Sequence, residues 1–328
     1  MNGYYLGIDT SCYTTSIACV EADAEKQGIV LDERTVLSVP LGGRGLRQSD
    51  ALFQHNRNLP DLLDRLFAAV DPKRILAVAV SAAPTAGPDS YMPVFLAGKL
   101  AAKAIAGALS VPLLEATHQS GHVRAALFGR EALFERERFL AVHLSGGTTD
   151  LLSVRPNPTG GRYFELEKLG QANDLHAGQF VDRVGVALGL PFPCGRHLEA
   201  LATAAADRSI RIPSSVRGLD CSLSGAETRA LQLLGDGMAR ESVAFAVYDC
   251  LSRTLAKLLR HAAETTGCGD VLLSGGVASS RLLSELLSAR VNGAVRLWFS
   301  RSELSSDNAV GTALLAADWA AQEGTCRR

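Results

Sequence analysis

Gly7-Ile-Asp-Thr-Ser-Cys-Tyr-Thr-Thr-Ser-Ile-Ala-Cys-Val20 and Val142-His-Leu-Ser-Gly-Gly-Thr-Thr-Asp-Leu-Leu-Ser-Val154 share one pattern: an apolar strand, a small-residue turn, a Thr-Thr pair and a second apolar strand. Small side chains let the chain reverse, and the apolar runs on either side read as paired strands. Such a hairpin near the start and again near the middle predicts two related lobes. Outward from the two hairpins, further apolar runs read as buried strands: Val30 to Val39, Ile75 to Ser81, Leu113 to Glu115, Tyr163 to Leu169, Val271 to Ser274 and Val295 to Ser300. Helical patterns lie between them: Ser49 to Val70, Met92 to Leu109, His118 to Phe128, His176 to Leu188, Gly195 to Ala206, Arg240 to Thr266, Ala278 to Ala289 and Asp307 to Gln322. Strands alternating with helices predict an α/β protein. The polar stretch Gly129 to Arg138 marks the lobe boundary, and the last helix is expected to fold back onto the first lobe. The expected lobes are therefore residues 1–137 with 303–328, and residues 138–302.

Bulk composition excludes several classes. A chain of 328 residues with 47% hydrophobic and 20% charged residues is long and apolar enough to bury a core in each lobe. A net charge of −1 supplies no global field toward nucleic acid or an anionic membrane. Any RNA contact is therefore local or supplied by a partner. Seven cysteines, an odd number without CxxC spacing, fit a reduced cytoplasmic protein. The start lacks a basic region before a long apolar core, so no signal peptide is expected. Lys99 and Lys103, with Gly98 and Gly107, interrupt the apolar stretch Met92 to Val111, which reads as a buried helix and not a membrane span. Leu41 to Arg47 reads as a flexible basic loop, and Pro156 to Gly161 as a hairpin turn.

Chemistry enters at His118 and His122. Four residues apart on a helix, two imidazoles share a face and can turn toward one ion; the alternative is two surface histidines on an ordinary helix. The zinc-peptidase version needs a Glu after the first His as general base, and Gln119 stands there. His143 leads directly into a glycine turn, Leu144-Ser145-Gly146-Gly147-Thr148, and a second loop, Ser274-Gly275-Gly276-Val277, joins a strand to a helix. Glycines there let backbone amides approach an anion, although neither loop matches the Walker or GxGxxG pattern and each also reads as a plain tight turn. Two such loops in a chain with a repeated hairpin point to a nucleotide in an interlobe cleft. Asp182 and Gly195, in a helix-loop-helix, stand as candidates to approach it.

Taken in order, these pieces resemble the universal tRNA threonylcarbamoyladenosine transferase family, TsaD in bacteria, formerly known as O-sialoglycoprotein endopeptidase. The resemblance spans nearly the whole chain. It rests on Gly7-Ile-Asp-Thr-Ser-Cys, Ala86-Gly-Pro, His118-x-x-x-His122, Leu144-Ser-Gly-Gly, Ala177-Gly…Asp182, Pro193-Cys-Gly195, Cys221-Ser-Leu-Ser-Gly225, Ser274-Gly-Gly-Val and Ser306-Asp-Asn308. It implies an actin-like ATPase fold of two RNase H-like lobes with an interlobe cleft. It also implies one divalent metal, iron or zinc, on His118, His122 and Asp307. His143 occupies the place of a Tyr ligand in archaeal-type members. The nucleotide, ATP or threonylcarbamoyl-AMP, would meet Leu144, Ser145, Gly146, Gly147, Thr148, Asp182, Gly195, Gly275, Gly276 and Ser280. The reaction implied is transfer of threonylcarbamoyl to an adenosine next to the tRNA anticodon, making the chain an N6-L-threonylcarbamoyladenine synthase. The implied partners are tRNA with TsaB-like and TsaE-like proteins, in a homo- or heterodimer, with no membrane.

Departures from the family pattern concentrate in the first lobe. The family's Asp-Glu-Thr after Thr-Ser-Cys is Tyr13-Thr14-Thr15 here, so both acids are absent. An Asn in the late Gly-Gly-Val loop is Ser280, a Pro-Gly-Gly glycine is Cys194, and Gly45 to Asn56 lacks the family's Pro-Glu pair. Loss of the acids keeps two further readings open: a non-catalytic metal- and nucleotide-binding subunit, and a carbamoyltransferase acting on a small molecule.

Overall fold

Each of the two hairpins seeds a five-stranded sheet. The structure, a computed structural model, describes residues 3–11, 13–22, 28–39, 46–87, 90–156 and 164–326, with side chains through Gln322. Cys12, most of the basic loop (residues 41–45) and most of the expected turn at 156–161 (residues 157–161) lie outside the described residues.

In the first sheet, β1 (Tyr4–Asp9) runs antiparallel to β2 (Thr14–Glu21), with Gly7 opposite Ala18 and Asp9 opposite Ser16. Strand β3 (Ile29–Val36) adds antiparallel to β2. Helix α1 (Gln48–Ala69) buries Leu59, Leu62 and Leu66, a helical spacing that sets one apolar stripe on the sheet. Strand β4 (Ile75–Ala83) returns parallel to β1, and after α2 (Phe95–Leu109), β5 (Leu113–Thr117) lies parallel to β4. The order is β3-β2-β1-β4-β5. Leu6, Ile8, Ile17, Leu62, Leu66, Val78 and Val80 form the centre of its core. Strand β5 passes without a loop into α3 (His118–Ala126), whose N-cap Thr117 accepts from the Ser120 N–H.

The second sheet repeats the plan. Strands β6 (Phe139–Leu144) and β7 (Thr149–Pro156) form the hairpin, and β8 (Phe164–Gln171) follows beside β7. Four helices come next in chain order: α4 (Ala177–Ala187), α5 (Gly195–Thr203), α6 (Ser224–Gly235) and α7 (Arg240–Thr266), with the short ribbon β9 (Ser215–Arg217) and β10 (Asp220–Ser222) before α6. Strand β11 (Asp270–Ser274) lies parallel to β6, and after α8 (Arg281–Val291), β12 (Arg296–Phe299) lies parallel to β11. Read from its third hairpin-side strand, the order β8-β7-β6-β11-β12 matches that of the first sheet strand for strand. Two copies of one strand order are what an actin-like α/β fold requires.

The last helix, α9 (Val310–Cys326), belongs to the first sheet's unit. The chain divides into two compact units: Met1–Gly129, Pro156–Phe164 and Ser306–Arg328 form one, and Arg130–Arg155 with Glu165–Ser305 the other. Glycine makes the seating of α9 feasible. A Cβ on Gly311 would stand 1.8 Å from the Gly121 carbonyl oxygen in α3, and one on Gly7 would stand 2.4 Å from the Ala309 carbonyl oxygen. Buried Arg124 of α3 grips Asp318 of α9 through Nε (2.5 Å) and Nη2 (3.1 Å).

Helix starts differ from expectation by a few residues, with local causes. Helix α8 begins at Arg281 because Ser280 caps it, accepting from the Leu283 N–H at 3.1 Å. Helix α9 begins at Val310 because the Asn308 side chain accepts from the N–H groups of Val310 and Gly311. The ribbon β9–β10 was not anticipated, since strands of three residues carry no alternation to read. Among the described residues, no helix is long and apolar enough to cross a membrane.

Candidate functional site

The first unit brings three of the expected metal ligands together. His118 and His122 project from α3, and Asp307 stands just ahead of α9, the helix seated on α3. His118 Nε2 lies 2.9 Å from His122 Nε2 and 3.8 Å from Asp307 Oδ1, while His122 Nε2 lies 3.2 Å from the same oxygen. One donor atom from each residue thus falls within 4.8 Å of the others. Two imidazole nitrogens bound at about 2.0–2.1 Å to a tetrahedral ion would stand roughly 3.3 Å apart, close to the spacing seen. The donor set of two imidazoles and one carboxylate suits zinc or iron.

Asp9, which sequence reasoning left without a role, completes the arrangement. It ends β1, is 1% exposed, and its Oδ2 lies 2.9 Å from His118 Nδ1. Its other oxygen accepts from the Ser11 N–H at 2.8 Å and from the Ser11 hydroxyl, and Oδ2 accepts from the Ser81 hydroxyl. Ser11 Oγ also approaches His118 Nδ1 at 2.8 Å. When His118 is neutral, a carboxylate on Nδ1–H selects the tautomer that leaves the Nε2 lone pair directed at the His122–Asp307 cluster, the relation that commonly orients a ligating histidine.

Electrostatics follow from the same contacts. Burial pushes the Asp9 carboxyl up, but the His118 charge and hydrogen bonds from His118, Ser11 and Ser81 more than offset it, holding Asp9 well below the usual carboxylate range. Asp307 is treated likewise: burial raises it, and the hydrogen bond from His122 with the charges of both histidines brings it below its ordinary value. The signal for Asp9 was legible in kind. A lone carboxylate closing the apolar run Tyr4-Tyr-Leu-Gly-Ile-Asp is too costly to bury without partners.

The second unit gathers the candidate nucleotide loops. Ser145 organises the hairpin turn, its hydroxyl accepting from the N–H groups of Gly147 (3.3 Å) and Thr148 (3.0 Å). The N-terminus of α4 abuts this turn so closely that a Cβ on Gly178 would meet Gly146 N at 2.5 Å. Gly275, at φ +97°, passes Leu144 where a side chain would stand 2.3 Å from its carbonyl oxygen. Leu144 to Thr148, the start of α4 and Gly275 therefore sit together. Asp182 accepts from the Cys194 N–H at 2.8 Å, and burial raises its carboxyl despite that hydrogen bond. Gly195 opens α5, its carbonyl accepting from the Tyr248 hydroxyl at 3.0 Å, and Ser280 is buried at its cap position. A Cβ on Gly276, the neighbour of Gly275, would meet nothing within 4 Å. His143 lies on β6 of this unit, Nδ1 3.1 Å from Ser274 Oγ, and so is not among the three donors that cluster in the first unit. A separate cavity of about 410 Å³ between β3 and α1, walled by Val36, Phe53 and Arg57 among others, includes none of the candidate ligands.

The family described as TsaD, tRNA N6-adenosine threonylcarbamoyltransferase, matches residues 42–314. A tRNA N6-adenosine threonylcarbamoyltransferase of Thermus thermophilus is 33% identical over 325 residues, covering 95% of this chain and 92% of that protein. Its counterpart in Methanopyrus kandleri is 33% identical over 279 residues, 82% of this chain and 77% of the relative. Among solved structures, component A of the (R)-2-hydroxyglutaryl-CoA dehydratase of Acidaminococcus fermentans superposes with a TM-score of 0.59 at 16% identity, covering 97% of this chain and 99% of that one. Full-length HypF superposes at 0.60 and 11% identity, over 96% of this chain and 46% of its own. At those identities the likeness concerns the fold alone, which is that of the actin-like ATPases.

Proposed function

The chain belongs to the tRNA N6-adenosine threonylcarbamoyltransferase family, and from that premise we propose that it transfers a threonylcarbamoyl group from threonylcarbamoyl-AMP to an adenosine next to the tRNA anticodon. One divalent metal is held by His118, His122 and Asp307. The observation that carries the reading is the convergence of the first three donors within 4.8 Å, on a helix pair set by Gly121 and Gly311. The chemistry such an ion supplies when bound is Lewis-acid polarisation of a carbonyl. The chain's own residues do the rest. Asp9, through Nδ1, keeps His118 in its ligating tautomer. Gly146, Gly275 and Gly276 present backbone N–H groups to the adenylate phosphate, in a turn that Ser145 braces through the N–H groups of Gly147 and Thr148, and Asp182, Gly195 and Ser280 border the same nucleotide. Fixing the adenylate against the acceptor amine converts a bimolecular encounter into an oriented one.

The test is direct. Purified, metal-loaded protein is incubated with threonylcarbamoyl-AMP and unmodified tRNA, alone and with TsaB-like and TsaE-like proteins, and the nucleosides are analysed by mass spectrometry. Threonylcarbamoyladenosine is expected; its absence under every condition sinks the proposal. A second reading, a non-catalytic metal- and nucleotide-binding subunit, is favoured by one observation: position 14, an acid in the family pattern, is a buried Thr beside half-exposed Tyr13. Under the transferase reading Thr14→Glu raises turnover. Under the second reading it changes nothing, while metal and adenylate still bind.

A further inference from the structure

Six cationic side chains gather on one face of the second unit, around a single buried acid. Asp249 of α7 is 1% exposed and receives Arg253 Nε at 2.9 Å and Arg290 Nη2 at 2.5 Å, with Arg211 Nε 4.0 Å away. Each guanidinium is tied down a second time: Arg253 to the Ile212 carbonyl, Arg290 to the Ser252 hydroxyl at 2.8 Å, and Arg211 to the Arg208 carbonyl at 2.7 Å. Further along the same helix face, Lys257 reaches Ser214 Oγ at 2.7 Å and Arg260 reaches the Arg290 carbonyl at 3.1 Å. Arg208 lies over the Phe245 ring at 4.8 Å. The acid these cations enclose is buried Asp249; in the chain, Asp207 adjoins Arg208 and Glu264 follows one turn beyond Arg260. In a chain of net charge −1, this is a pronounced local excess of positive charge.

Asp249 neutralises one of the three guanidinium charges that converge on it, so the cluster keeps a net positive charge. What the convergence achieves is to hold several guanidinium groups in fixed positions, so that little rotamer freedom is lost when they meet an anion. Arg208, Arg211, Lys257 and Arg260 remain exposed. From Arg253 to Arg260 the helix rises about 10 Å, more than a single phosphate spans. The ligand that fits is a polymer of phosphates. Phe245 is 5% exposed and offers no stacking platform, so the contact is with backbone and not with bases.

We propose that this face, formed by Arg208, Arg211, Arg253, Lys257, Arg260 and Arg290, binds the sugar-phosphate backbone of tRNA; the identity of the polyanion rests on the transferase reading. The experiment measures binding of a fluorescently labelled, unmodified tRNA transcript to the full-length protein by anisotropy, across a series of KCl concentrations. The variant Lys257→Glu/Arg260→Glu reverses two exposed charges without removing the partners of Asp249. The variant Lys73→Glu/Lys103→Glu makes the same change in net charge on the first unit. The first is expected to bind about tenfold or more weakly at low salt, with a salt slope shallower by about one to two, and the second within about twofold of the native chain. Wild-type affinity and slope in the Lys257→Glu/Arg260→Glu protein overturn the surface alone. Equal losses in both variants do so too, since they would show that net charge and not location matters. Failure of the native chain to bind tRNA removes the tRNA reading itself. Lys257→Gln/Arg260→Gln repeats the measurement if the reversed variant melts early.

Discussion

Asp9 sits where burial alone would drive it neutral, and its neighbours keep it charged. That charge acts on His118, whose Nδ1 it meets at 2.9 Å. Asp9→Ala removes the orienting acceptor and is expected to weaken metal binding by about 10- to 100-fold, with Asp9→Asn, which keeps an acceptor oxygen but not the charge, lying between it and the native chain. Chelator competition supplies the affinities, and the visible spectrum of the cobalt-substituted protein reports the coordination directly. Unchanged affinity in Asp9→Ala would mean that Ser11, 2.8 Å from the same nitrogen, suffices to hold the ring. The cysteines give a second prediction at this scale. Burial pushes the thiols of Cys19 and Cys221 up to about 12 and that of Cys250 up to about 11, from an ordinary value of 9.0. Held as neutral thiols, they should resist alkylation at pH 8 in the folded chain and react fully in denaturant, as peptide mapping can show. A raised folded value stabilises fully below the unfolded one, so this contribution is intact below pH 9 and is lost as the pH climbs toward 11–12.

At the scale of elements, the packing of α3 against α9 decides whether the donors meet. Gly121 and Gly311 let the two backbones touch, and the Arg124–Asp318 pair fixes them at 1% and 0% exposure. Asp318→Asn leaves a buried guanidinium short of its counter-charge and is expected to cost about 3–5 kcal/mol in denaturant unfolding, whereas Arg124→Met/Asp318→Leu should cost far less. A single-variant loss under about 1 kcal/mol would show that the pair is not what clamps the helices. The elements themselves were largely legible: hairpins, long helices and parallel strands carry their periods over many residues. Helix α6 and the β9–β10 ribbon were not, because short elements packed on a neighbour need no strong pattern of their own. The pair His118 and His122 was legible because both stand on one helix, four apart. Asp307 came only through family resemblance, and Asp9 not at all as a site residue, since what joins them to the histidines is tertiary packing.

For the whole molecule, the repeated hairpin foretold the deeper repeat: both sheets hold their strands in one order. His118, His122, Asp307 and Asp9 lie in one unit, and the candidate nucleotide loops and His143 in the other. That division makes metal removal informative. An ion present at a hundredfold over its dissociation constant stabilises the state that binds it by about 2.7 kcal/mol. The segments supplying ligands should therefore gain amide protection on metal addition, and segments without ligands should not. Hydrogen exchange followed by mass spectrometry, with and without zinc, is expected to slow exchange at the end of β1, through α3 and across residues 307–311. Helices α7 and α8, which carry no proposed donor, serve as internal references. No slowing in α3 would mean that the histidine pair, for all its geometry, holds no metal.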